Sequence, residues 1–216
     1  MNQIFKSKKL AAATKKVSEE LVKGNATKAY AWAVRNYHHF EIKDIYDLVL
    51  KKNAYNFLKY DLRVQAATQN PVTKNVSWLS FTHAITFSNA VRITCEKYPE
   101  LWPAGILQML SFYGRNSSFT DESIDESEWM VTDSTNFIKD TLNKVFDHGL
   151  AGPIFSAHII KTGLATFQEA ESSSPETRAL LLASLNRFLN SPLKQKHVRR
   201  TVSQGIKLVA KDFDRN

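Results

Sequence analysis

The chain has 216 residues, 43% of them hydrophobic and 23% charged, which suits one domain with its own core and excludes a disordered or fibrous protein. Seven Gly and six Pro are too few for an all-β sandwich or barrel, whose hairpins need such residues every ~8–12 positions. The net charge of +8 sits at the two ends: residues 1–30 hold seven Lys and two Glu, residues 194–216 hold seven Lys or Arg and two Asp, and the middle carries a small negative excess. The single Cys95 rules out an intramolecular disulfide, a zinc finger and a Cys-ligated cluster, and fits a reducing, cytoplasmic compartment. No signal-peptide pattern is present, and the most apolar stretch, 151–167, is interrupted by His158 and Lys161, so no membrane span is expected.

In chain order, residues 7–22 place Leu10, Ala13, Val17 and Leu21 at helical spacing, and Gly24 closes the segment. Asn25 suits the cap of a second helix with Ala31, Val34 and His38 on one face. Residues 41–52 carry Ile42, Ile45, Tyr46, Val49 and Leu50, and a separate helix over 55–67 ends at the Asn70-Pro71 turn. A long apolar helix covers 77–98. Pro99 starts the next, through Leu101, Ile106, Leu107, Leu110 and Phe112, with Gly114 as its stop.

Residues 117–127 lack periodicity and contain Asp121, Glu122, Asp125 and Glu126 with no basic residue, which predicts a mobile acidic loop anchored only by Phe119 and Ile124. Asp133 or Ser134 caps a helix running to His148, and Gly149, Gly152 and Pro153 break the chain before a helix over 154–169. Ser174-Pro175-Glu176 and Ser191-Pro192 each open a further helix, the last one basic. The expectation is an all-α, single-domain bundle of about ten helices over residues 1–216.

Phosphate-loop, dinucleotide, nucleophile-elbow and zinc-protease motifs are absent, as is any Glu-x-x-His pair of a ferritin-like di-iron site. What remains is the placement of histidines. His83 shares a helix face with Phe87, Ala90, Val91 and Thr94; His158 with Ile154, Phe155, Thr162 and Ala165; His148 with Phe137, Thr141 and Val145; His38 with Thr27, Ala31 and Val34. Coming from different helices, they either converge inside the bundle or serve as separate core residues. Asp61 lies on an apolar face with Leu58, Leu62 and Gln65, where a carboxylate needs a cation or an arginine. Histidines plus one carboxylate suit a transition metal ion, iron foremost, with zinc or manganese also compatible. The candidate metal ligands are therefore His83, His158, His148, His38 and Asp61.

The stretches Thr82-His83-Ala84-Ile85-Thr86-Phe87-Ser88-Asn89-Ala90-Val91 and Ala157-His158-Ile159-Ile160-Lys161-Thr162 resemble two blocks of an uncharacterised bacterial helical domain. That domain is often fused to a Rieske-type iron–sulfur domain. The likeness covers residues 30–170, and in the helix over 55–61 the family carries a histidine where this chain has Tyr55. The resemblance implies a redox context and a role beyond packing for His83 and His158. Since Rieske ligands are missing from this chain, it also implies a separate redox protein as partner.

Two functions follow as expectations. The first is a protein with an internal histidine-lined pocket, a metal-dependent oxidoreductase acting on a small apolar molecule, with His83 and His158 as ligands or acid–base groups. The second is a non-catalytic interaction module whose basic ends bind nucleic acid or an acidic protein. The final helix offers Lys196, Arg199, Arg200 and Lys207 for phosphates but no aromatics for base stacking.

Overall fold

A computed structural model describes residues 26–67, 76–145, 153–191 and 196–213. Among them are nine α-helices and no strand: α1 (Ala26–Asn36), α2 (Ile42–Leu58), α3 (Leu62–Ala66), α4 (Trp78–Lys97), α5 (Trp102–Asn116), α6 (Ser134–Lys144), α7 (Pro153–Ser172), α8 (Pro175–Leu189) and α9 (Lys196–Phe213). The all-α expectation holds. The helix predicted over 7–22, the Asn25 cap and His148 lie outside the described residues.

The stretch from Ile42 to Leu58 contains no Gly or Pro and forms one helix where two were expected. It is the central element, packed on α4, α5 and α8, and it buries Ile45, Tyr46, Leu48, Val49, Leu50, Ala54, Phe57 and Leu58. Its end is set by tertiary contacts that local sequence does not encode. The buried Arg187 guanidinium of α8 donates to the carbonyls of Leu58 at 2.6 Å and Tyr60 at 3.0 Å, closing the orphan carbonyls of the last turn. The same guanidinium lies 5.5 Å from the Trp78 ring, within an aromatic cluster of Phe57, Tyr60, Trp78, Phe81 and Phe188.

Gly114 is not a helix stop. It lies inside α5, and a Cβ there would sit 2.4 Å from Ala26 Cα. The residue is small because α1 crosses α5 at that point, so close backbone approach explains it. The Ser174-Pro175-Glu176 start is realised as expected, with Ser174 accepting from the Thr177 amide and Asp47 of α2 accepting from both Ser174 N–H and Oγ–H. Asp133 caps α6 by accepting from the Asn136 amide.

The acidic segment over 117–127 is held down on both flanks, contrary to the mobile loop expected. Asp61 N–H donates to Phe119 O, Asp121 N–H donates to Lys59 O, and an isolated bridge joins Tyr60 to Thr120. The buried Lys59 ammonium donates to Ile124 O at 2.6 Å and pairs with Glu126 at 3.1 Å, while Arg63 reaches Asp121 at 3.0 Å. The cations missing from the loop come from the α2–α3 corner. No helix among the described residues is long and apolar enough to cross a membrane.

Candidate functional site

Helices α4 and α7 run parallel. The pairs His83–His158, Asn89–Gln168 and Arg92–Glu169 advance together along both helices and define one seam. Its two ends differ in chemistry.

At the N-terminal end, His83 Nε2 and His158 Nε2 lie 2.9 Å apart. The ring centres are 5.1 Å apart, about 2.2 Å more than the nitrogens, which is two ring radii laid end to end. The imidazoles therefore meet head-on, as in an N–H···N hydrogen bond, with one ring carrying the shared hydrogen and the other accepting it. His83 is exposed and His158 half-buried, so the pair sits at the rim of the seam and not in an internal pocket. Partial burial, then the neighbouring His158, then Lys161 one turn along α7, hold His83 below the usual histidine range. In the pair one proton is shared comfortably, whereas a second charge would set two N–H groups against each other.

Whether these residues fit a metal ion is answered by the donor set. Among the described residues no group of three His, Cys, Asp or Glu side chains comes together to hold an ion. Two imidazoles on one ion aim their lone pairs at a point off the line joining them, whereas these two aim along that line. The arrangement suits a shared proton and does not fit a closed metal centre. Asp61 is elsewhere: it caps α3 by accepting from the Arg63 amide at 2.9 Å and pairs with the Arg63 side chain at 2.9 Å, which satisfies the carboxylate. His38 lies in the exposed turn after α1, edge-on to Tyr37. The α1 face expected to point inward is the outer one, since Val34 is 71% exposed and the buried residues are Ala29, Trp32 and Ala33. Phase was misjudged there because α1 is short and alanine-rich.

The other end of the seam is a group that sequence reading missed. Glu169 is fully buried and accepts from Tyr46 Oη–H at 2.7 Å, Asn89 Nδ2–H at 2.8 Å and Arg92 Nε–H at 2.9 Å. Burial, then the Glu169 carboxylate, drive the Tyr46 hydroxyl far above its usual range, so it serves only as a donor. The signal was present. Glu169 stands four residues after Ala165 and eleven after His158, a charge ending the apolar stripe of α7. Between the two ends, the Thr162 and Thr166 hydroxyls are buried with no hydrogen-bond partner among the described residues. Cys95 is buried, and burial raises its thiol, which keeps it unreactive. No family model, no curated protein and no solved structure matches the chain.

Proposed function

We propose that the chain works as an acid–base protein, with His83 and His158 as a proton-sharing dyad that performs proton transfer on a small molecule approaching the open rim of the α4–α7 seam. The observation that carries this reading is the head-on Nε2···Nε2 distance of 2.9 Å at an exposed site. His83, held below the ordinary range, is a neutral base near pH 7, and His158 takes up or returns the proton across the shared bond. The likeness of both histidine blocks to the Rieske-associated domain supports a redox setting, in which the dyad would take the proton and a separate redox protein would take the electron.

The test is a histidine-selective ¹⁵N NMR titration of untagged protein, accompanied by metal analysis. The expected result is two coupled titrations in the wild type, with His83 moving toward its ordinary range in His158→Ala. Two independent titrations, with His83 unchanged in the variant, would overturn the dyad. A stoichiometric transition metal lost from both His83→Ala and His158→Ala would replace the reading by a metal centre.

A further inference from the structure

Lys161 follows His158 by three residues on α7, is exposed, and forms no ion pair among the described residues. Residues at that spacing sit about 5–6 Å apart at Cβ, which sets the ammonium beside the imidazole pair. Its charge reaches across the seam: His158 and Lys161 are the two charged neighbours that act on His83, and both disfavour a proton there. No carboxylate among the described residues offsets them. Further along the seam the charges cancel, with Arg92 paired to Glu169 and Glu96. The dyad end therefore carries a local positive field. A neutral imidazole that accepts at Nε2 keeps its own hydrogen on Nδ1, so the pair holds an N–H beyond the shared one.

We propose that Lys161 and the histidine pair bind a small oxyanion, a carboxylate or a phosphate, with the Lys161 ammonium as the charge that selects it and imidazole N–H groups as further donors. The inference rests on the dyad reading and deepens it, naming the class of molecule with which the pair exchanges a proton. A cation is repelled by the ammonium, and a neutral molecule gains little from it. A polyanion would need unpaired cations farther along the seam, where Glu169 and Glu96 neutralise Arg92.

The experiment titrates the full untagged chain with inorganic phosphate, and separately with acetate, reading the ¹⁵N shifts of both imidazoles at about pH 7 and constant ionic strength. Acetamide and methylammonium serve as neutral and cationic controls. At least one anion is expected to move His83 and His158 saturably, the active probe telling phosphate from carboxylate, and neither control to do so. Lys161→Gln is expected to raise the apparent Kd about fivefold or more. Lys97→Gln, about 21 Å along α4 from His83, is expected to leave it unchanged. Both lysines are exposed, so unchanged thermal melts are expected to show that the variants fold. No saturable shift from either anion, a response to either control, or equal weakening by the two lysine variants overturns the site, the last by leaving only diffuse charge attraction. Coupled imidazole titrations without any anion response overturn the oxyanion site and leave the dyad standing. Independent titrations overturn the dyad, and this inference with it.

Discussion

The two ends of the α4–α7 seam join the same pair of helices with ionisable side chains, yet they are built for opposite purposes. At Glu169 a buried carboxylate is surrounded by three donors, and Arg92 supplies the countercharge. Tyr46 and Arg92 are both pushed up and keep their protons, and the end is locked. At His83 two imidazoles share a single hydrogen near solvent, and burial together with the neighbouring ring and Lys161 holds His83 below its usual range. One end pairs complementary charges in the interior; the other sets two imidazoles head-on at the rim.

The comparison breaks most visibly at Glu169. Glu169→Ala removes the buried countercharge of Arg92 and the acceptor it shares with Tyr46 and Asn89, leaving them only Glu96, Ser88 O and Gln168, and should cost about 3–5 kcal/mol in urea unfolding. A loss under ~1 kcal/mol would mean that this end is not the lock described. Tyr46→Phe removes a donor shared between Glu169 and Ser88 O at 2.9 Å, and about 1–2 kcal/mol of stability should go with it.

At the other end, His83→Ala and His158→Ala should each cost below about 1 kcal/mol, because the bond is near solvent. The double variant should lose less than the sum of the two, since one bond is removed once. Additive costs would show the rings to be independent.

Smallest is the pH effect. With His83 lowered in the fold, the unfolded chain binds more protons between that lowered value and about 6.5. Stability should therefore fall as pH drops through about 6.5 and level off below the lowered value. Urea midpoints across that window check it, and His83→Asn should flatten the step.

Much of the fold was legible because most helix boundaries carry local signals. The apolar run over 77–98 and the Ser174-Pro175-Glu176 start reappear almost unchanged as α4 and α8. Boundaries made by distant partners were not legible. The end of α2 depends on Arg187, some 130 residues on, and the role of Gly114 depends on Ala26. The site was half-legible for the same reason. His83 and His158 could be singled out by face, but their meeting requires α4 and α7 to lie parallel, which no single helix encodes. Asp61 was placed within a helix on an apolar face, whereas it is the cap of α3, and the arginine left open as its partner is Arg63, two residues on.

The parallel seam also bears on how the chain reaches its native state. Partners across it are separated by 75 to 80 residues, so each contact closes a long loop before any local reward is gained. Contacts of such range tend to form late, after α4 and α5 have docked through their short connection. Substitutions at Glu169 or His158 should accordingly speed unfolding far more than they slow refolding, making the seam the element that sets how long the native state persists.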